Sequence, residues 1–591
     1  MGQKTAEADT TTITARRNGH RKEVGRRRFL KGMGIIGAGL VAAVACGGED
    51  KRRVLTTLDQ SVALGDDGAL SLGPGEGYVV RADLAQAQAG REAARRSLAT
   101  FHHLSDFRIV DEESPLRSEW VEACAEPLSP GAFRPQETLS AQAAASLIAR
   151  ANEVNGSPVT GRSVDFALHT GNAADNAQYN ELRWFLDLMD GALVAPSSGN
   201  PEYQGVQEQS PADDFPDLIE EAQRAFQSPG LRYPWYTVLG NRDVLAQGNF
   251  PPTDGARAIA LGEAKIITIG PDAAAEVCAD PSKLLLPGES SAILDDPEAE
   301  IKRVAPDGDR RLMSRREWVA EHFTTPASPG PPGHGLTAGN RDAGTAYYTF
   351  DSGELTVVVL DTVNPGGFSA GSIDAAQFSW LEEQLAARSG YYLDARGRQV
   401  ATESADRLIV IASHHGLELL NNPFPGPEGN EERVRGPQLE ALLHRFPNVV
   451  LHVSGHSGEQ RIAARPDPAG RTGAGAYWEV STGSPLEFPM QGRLLDIVDN
   501  GDGTISVFST VYDIAAPLSP GDAADGTPDD GVNESLLASV ARLLAVADPQ
   551  RDADAPGLGA SDRNAELLLP APFDLSATPR TPPKASLSPT R

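Results

Sequence analysis

Short apolar runs, several of them β-branched, recur at 101–104, 164–169, 235–239, 355–360, 408–412, 449–453, 476–480, 494–498 and 504–508, and most end in Gly, Asp, Ser or His. Runs of this length, punctuated by turn formers, predict β-strands. Between them, apolar residues at helical spacing predict helices over 139–152, 180–188, 375–387, 436–445 and 534–547. Strands alternating with helices predict a layered α/β architecture. The stretch Asp499-Asn500-Gly501-Asp502-Gly503 separates two apolar runs, and its Asn-Gly and Asp-Gly pairs accept positive φ. It predicts a hairpin, hence a mixed sheet.

Three connections exceed ordinary loop length and read as inserts in the globular body, near 194–232, 249–316 and 324–340. The expected domain map is a signal over 1–45, a tether and entry loop over 46–79, one body over 80–570 and a flexible Ser/Thr/Pro-rich tail over 571–591. The signal assignment rests on Arg26-Arg27-Arg28-Phe29-Leu30-Lys31 followed by an apolar run to Ala45, too short to span a bilayer. This RRxFLK pattern resembles a twin-arginine signal. Ala45-Cys46 resembles a lipoprotein box, which implies a lipid-anchored protein of the cell envelope, while Ala43-Val44-Ala45 also fits ordinary cleavage to a soluble periplasmic or secreted form.

Charge narrows the partners. With 52 Lys plus Arg against 81 Asp plus Glu, the net charge is −29, which excludes a basic nucleic-acid binder. Only Cys124 and Cys278 follow Cys46, so a disulfide framework and a zinc-thiolate site are excluded and at most one bridge can form. Membrane association is expected through lipid on Cys46.

Polar clusters stand where the apolar runs stop: Ser105-Asp106-Phe107-Arg108, Thr170-Gly171-Asn172-Ala173-Ala174-Asp175-Asn176, Gly240-Asn241-Arg242-Asp243, Ser413-His414-His415 and Ser454-Gly455-His456-Ser457-Gly458. Strand ends are where layered α/β folds build sites. In this order the five segments resemble the motifs DxH, GDxxD, GNH(D/E), a strand-end His and GHxH of the calcineurin-like metallophosphoesterase superfamily. The segments beginning at Arg134-Pro135-Gln136, Asp175-Asn176-Ala177 and Ile497-Val498-Asp499 resemble a twin-arginine-exported branch with long inserts. The resemblance implies a four-layer sandwich of two mixed β-sheets flanked by helices. It also implies metal-assisted hydrolysis of phosphate esters by two divalent cations. By position, Asp106 corresponds to a ligand of the first metal, and Asn241, His414 and His456 to ligands of the second, with His415 as the alternative to His414. Asp175, Asp243 and His415 correspond to supporting groups behind the ligands.

Several reactive positions depart from that pattern. Arg108 replaces the His of DxH, Asn172 stands at the bridging Asp, Arg242 replaces the catalytic His, and Gly458 replaces the last His of GHxH. Ser484-Pro485-Leu486-Glu487 falls where the branch has Ser-His-x-Asp, so a site-lining His is missing too. A guanidinium about 4 Å from a divalent ion repels it by roughly 8 kcal/mol at an effective dielectric of 20. Arginine neither ligates metal nor serves as a general acid near neutral pH. The expectation is therefore a lost first metal and at most one divalent ion (Mn, Fe, Zn or Mg). Arg108 and Arg242 are expected either to pair with Asp106, Asp175 or Asp243 as a fold support, or to hold a phosphate-containing or other anionic small molecule. An impaired phosphoester hydrolase and a non-catalytic anion-binding or structural lipoprotein both remain open. His102, His103, His169 and His452 lie within or beside strand runs and read as core or supporting groups.

Overall fold

The computed structural model describes residues 55–65, 68–120, 133–200, 202–205, 215, 217–279, 296–326, 328–426, 432–471, 475–522, 534–548, 551 and 559–577. The segment read as a signal, Cys46, Cys124 and the end of the chain beyond 577 lie outside the described residues.

Two large sheets carry the fold. Their strands are β1 (Val79–Arg81), β2 (Arg96–Leu104), β3 (Phe166–His169), β4 (Trp235–Thr237), β5 (Tyr348–Ser352), β6 (Leu355–Val359), β7 (Leu408–Ala412), β8 (Val449–Ser454), β9 (Arg461–Arg465), β10 (Tyr477–Ser481), β11 (Gln491–Asp499), β12 (Thr504–Asp513) and β13 (Ala565–Pro570). The seven-stranded sheet runs β1-β13-β12-β11-β2-β3-β4 and the six-stranded sheet β5-β6-β7-β8-β10-β9. Both are mixed. In the first, β2, β3 and β4 are mutually parallel while β11 is antiparallel to β2 and β12. In the second, β6, β7, β8 and β10 are parallel and the edge strands β5 and β9 are antiparallel. The hairpin expected at 499–503 joins β11 to β12, with Gly501 and Gly503 at φ 69° and 87°.

Every apolar run singled out above became a strand. In β6 and β7 all five residues are buried, as sequences dominated by Val, Leu and Ile require of strands covered on both faces. Phe350 of β5 stacks on Tyr236 of β4 at 3.5 Å between centroids, and the Trp478 indole N–H of β10 donates to the Leu568 carbonyl of β13 at 3.1 Å, so side chains of the two sheets meet directly.

The five expected helices form as α1 (Ser140–Glu153), α2 (Tyr179–Asp190), α3 (Ala375–Ala386), α4 (Gly436–Leu443) and α5 (Glu534–Val546). The α1 helix packs on α5 and touches β11 and β12. Leu381 and Leu385 of α3 and Leu439 and Leu443 of α4 are fully buried against Val358, Ile409, Ile411 and Val449 of the six-stranded sheet. Each such burial contributes about 1.5–3 kcal/mol. Asp374 starts α3 by accepting the Gln377 N–H with its side chain, an ordinary N-cap.

The long connections hold small elements of their own: helices Leu218–Ala222, Asp254–Ala260 and Ala338–Ala343, and an antiparallel pair formed by Ala264–Thr268 and Glu300–Arg303. Within the stretch read as tether and entry loop, Gln60–Leu64 pairs antiparallel with Leu70–Pro74. Sequence periodicity missed that hairpin because most of its residues are only partly buried. Among the described residues no helix is long and apolar enough to cross a membrane.

Candidate metal and anion site

The parallel strands of both sheets end at one place. Beyond β2 stands Asp106, beyond β3 Asn172, beyond β4 Asn241 and Arg242, beyond β7 His414, and beyond β8 His456. The loops interlock through their backbones: Asp106 N–H donates to Gly171 O, Arg108 N–H to Asn172 O and Gly455 N–H to His414 O. Gly240 permits a close approach of two loop backbones, since a Cβ there would sit 2.2 Å from the Asn172 nitrogen. Asp106, Arg108, Asn172 and His456 all adopt left-handed backbone angles, φ 53°, 46°, 57° and 69°. For non-glycine residues that conformation costs of order 1–3 kcal/mol each and concentrates at functional loops. All ten residues singled out in the sequence, Asp106, Arg108, Asn172, Asp175, Asn241, Arg242, Asp243, His414, His415 and His456, lie on these loops.

Where the first metal of the resemblance would sit, side chains close on each other instead. The Asp106 carboxylate accepts from Ser105 Oγ (2.7 Å), Asn172 Nδ2 (2.9 Å), the His456 backbone N–H (2.7 Å) and the Arg108 guanidinium (3.2 Å). Burial alone would raise its pKa, but Arg108, His414 and Ser105 outweigh burial and hold it well below the usual carboxylate range. Arg108 also donates to Glu487 at 2.6 Å, and Arg134 donates to the same Glu487 oxygen at 2.8 Å. Arg242 reaches Asp175 at 2.8 Å, while Arg117, fully buried, binds Asp175, Glu119 and Glu137 at 2.7, 3.1 and 2.8 Å. Burial pushes the Arg242 pKa down to about 10, still charged at neutral pH. Asp175 is held at about 2, because Arg242 and Arg117 overcome the effect of burial. Asn172 is fully used: its Oδ1 accepts the Arg242 N–H at 2.8 Å and its amide nitrogen faces Asp106. These residues do not fit a first divalent ion.

The second position differs. His414 Nδ1 lies 2.7 Å from the Thr170 carbonyl, which only accepts, so Nδ1 carries the proton. Burial lowers the His414 pKa, leaving the ring neutral with a lone pair on Nε2. That Nε2 is 2.9 Å from Asn241 Oδ1 and 3.1 Å from His456 Nδ1. Asn241 cannot turn its amide around, because its Nδ2 donates to the Gly248 carbonyl at 2.8 Å. A carbonyl oxygen and an imine nitrogen therefore face each other at hydrogen-bond distance with no proton between them. A cation relieves that repulsion, and one amide oxygen with two imidazoles suits a divalent transition ion. His414, His415 and His456 also present nitrogens within 4.8 Å of one another. Both ring nitrogens of His415 are engaged, by Thr362 Oγ1 at 2.8 Å and the Ser369 carbonyl at 2.9 Å, so His414 rather than its neighbour offers a lone pair toward the site, next to His456 Nδ1.

Asp243 accepts the backbone N–H groups of Gly240, Asn172 and Ala174 at 2.7, 3.1 and 3.0 Å, tying two loops together. Glu181 does the same for Asp111, Asp175 and Asn176. Burial pushes Asp243 up to about 7 and Glu181 up to about 8. Carboxyls raised on folding are held protonated by the folded state, so their contribution to stability falls as pH rises from about 4, their unfolded range, through those values. Buried histidines with lowered pKa act in the opposite sense, so the carboxyl contribution is read by difference: Asp243→Asn is expected to gain on the parent protein in thermal midpoint between pH 5 and pH 8, and a difference between the two proteins that is the same at both pH values contradicts the assignment.

Sequence reasoning did not find Thr170, Gly248, Arg117 or Glu137 as partners. Arg134 and Glu487 stood in segments already singled out, yet nothing local announced that they meet. His103 bonds Thr170 and Thr482, and His452 bonds Ser413, as supporting groups. His169 packs between Phe107 and Phe185 in the core.

No family model and no curated protein matches this chain. Among solved structures, a dimetal phosphatase from Danio rerio (LOC 393393) aligns with 71% of this chain and 100% of its own, at 9% identity and a TM-score of 0.29. GAP50, the anchor in the inner membrane complex of Plasmodium, aligns with 70% of this chain and 84% of its own, at 11% identity and a TM-score of 0.24. Similarities this low add no weight to the reading of this site, which rests on its own side chains.

Proposed function

We propose that the protein is an exported phosphoester-binding protein of metallophosphoesterase type that keeps one divalent-ion site, at Asn241, His414 and His456, and has replaced the other by an arginine-carboxylate cluster. In this reading residues 80–570 form a four-layer sandwich decorated by inserts, the twin-arginine signal over 1–45 directs export, and Cys46 carries the lipid that anchors the chain at the cell envelope. One observation carries it: the His414 lone pair held against the Asn241 carbonyl at 2.9 Å, an arrangement that calls for a cation. A divalent ion there supplies Lewis-acid polarisation of a phosphoryl oxygen. Arg108, behind Asp106, adds fixed positive charge suited to a phosphate oxygen.

The chain's own residues set a limit on hydrolysis. Arg242, at the position of the usual proton donor, stays charged and turned toward Asp175, so the leaving oxygen has no general acid. General acids contribute about 10²–10⁴-fold, so slow turnover is expected, confined to esters whose leaving group needs no proton. Manganese titration of the purified protein followed calorimetrically is expected to give one ion per chain, with slow cleavage of p-nitrophenyl phosphates and none of alkyl phosphates. His456→Ala is expected to remove both binding and cleavage. Manganese binding unaffected by that substitution would sink the site assignment. A second, non-catalytic reading is favoured by Glu487, which bridges Arg108 and Arg134 and occupies anion-binding groups with a carboxylate of the chain itself. Metal binding with neither turnover nor phosphate binding would select it.

A further inference from the structure

Two phenylalanines stand exposed at the margin of this site. Phe368 and Phe424 are 48% and 50% exposed, and their rings stack on each other at 4.9 Å between centroids and 28° between planes. They are the only strongly exposed phenylalanines among the described residues. Apolar rings of this size are normally turned inward, so two held side by side in water call for an explanation.

The backbone around them is built with care. Phe368 takes φ 68°, a left-handed conformation that a bulky residue adopts only where its surroundings enforce it. Its N–H donates to Asn249 O at 2.6 Å, next to Gly248, whose carbonyl holds the Asn241 amide. The following residue, Ser369, accepts from His415 Nε2, and the His415 ring lies 4.4 Å from that of His456. Phe424 is fixed through its carbonyl by Asn364 Nδ2 at 3.0 Å and through its N–H by Asn422 Oδ1. The loops bearing the rings follow β6 and β7, at the same strand ends that carry the site. Phe368 is therefore one residue and one hydrogen bond away from His415, and one residue and two hydrogen bonds away from Asn241.

We infer that Phe368 and Phe424 form a binding platform for an aromatic ring carried by the phosphoester, which makes aryl phosphates the substrate class and nucleoside phosphates ligands that bind without turnover. This rests on the proposed phosphoester site and adds the part of the ligand that site does not contact. An offset-stacked or edge-on ring gains affinity over the surface it covers, up to roughly tenfold beyond burial alone.

Non-hydrolysable probes separate this from leaving-group chemistry. In the presence of manganese, phenylphosphonate is expected to bind the purified protein about tenfold more tightly than methylphosphonate. Phe368→Ala and Phe424→Ala are each expected to remove that difference while leaving methylphosphonate affinity unchanged. Phe424→Leu, which keeps an apolar side chain without the ring, is expected to lose most of it and serves as the control should an alanine variant misfold. Adenosine monophosphate against ribose 5-phosphate then tells a nucleobase from a simple aryl group. Equal binding of the two phosphonates, or a preference untouched by the Phe variants, overturns the platform while the phosphoester site stands. Binding of neither phosphonate overturns the site and the platform together. Association with anionic lipid vesicles abolished by Phe368→Ala, without a phenylphosphonate preference, reassigns the pair to a membrane contact and overturns the platform.

Discussion

A quintuple variant, Arg108→His, Asn172→Asp, Arg242→His, Gly458→His and Glu487→Ala, is expected to bind two manganese ions per chain, while the same set without Glu487→Ala holds one. The four ligand-type changes remove two guanidiniums and restore a carboxylate, which lifts the roughly 8 kcal/mol repulsion that each nearby cation exerts on a divalent ion. They are insufficient because of what lies behind Gly458. A Cβ on that residue would meet Glu487 Oε2 at 2.1 Å, so an imidazole enters only if that carboxylate swings aside, against Arg134, which still holds it at 2.8 Å. Gly458 also sits at φ 72°, which a histidine adopts at some cost. Elemental analysis after dialysis reads the result. If the quintuple variant folds and still carries one ion, the correspondence between these loops and a two-ion site is wrong.

Arg117→Ala is expected to destabilise the protein by about 3–5 kcal/mol. Arg117 is completely buried and donates to Asp175, Glu119 and Glu137, all without exposure. Burial and the surrounding carboxylates already push the Glu137 pKa up, with Arg117 the main opposing influence. Removing the cation takes one partner from each of three buried acids: Asp175 keeps Arg242, while Glu137 is left to take up a proton or admit water. Lys265, 2.8 Å from Glu119, retains one of them but does not reach the rest through any contact seen among the described residues. Arg303→Ala provides the contrast, since that arginine is 80% exposed and, among the described residues, pairs with the exposed Glu263. Its expected effect is within about 0.5 kcal/mol. Unfolding by denaturant compares the two, and a loss below about 1 kcal/mol at Arg117 would show that the buried cluster contributes little.

Much of the architecture was legible because it depends on local pattern. Leu408-Ile409-Val410-Ile411-Ala412 has no polar residue to offer water and became a central strand, and Asp499-Asn500-Gly501-Asp502-Gly503 became the turn its glycines allow. The strands that escaped notice are defined by partners instead. Arg461–Arg465 alternates poorly and is an edge strand, and Val79–Arg81 is only three residues long. The site divides in the same way. Its strand-end loops could be read because chemistry and turn formation both place Asp, Asn, Gly and His there. Of the neutralising partners, Asp106 for Arg108 and Asp175 for Arg242 were among those the sequence offered, and both pairs form. Glu487 could not be read, because Arg108 meets it across 379 positions of chain and Arg134 across 353.

The fit of Glu487 into the space beside Gly458 couples two positions far apart in the sequence. A side chain added at 458 has to displace that carboxylate, and removing the carboxylate leaves Arg108 and Arg134 beside each other with less to neutralise them. The two positions are therefore not independent: what either one tolerates depends on the residue at the other.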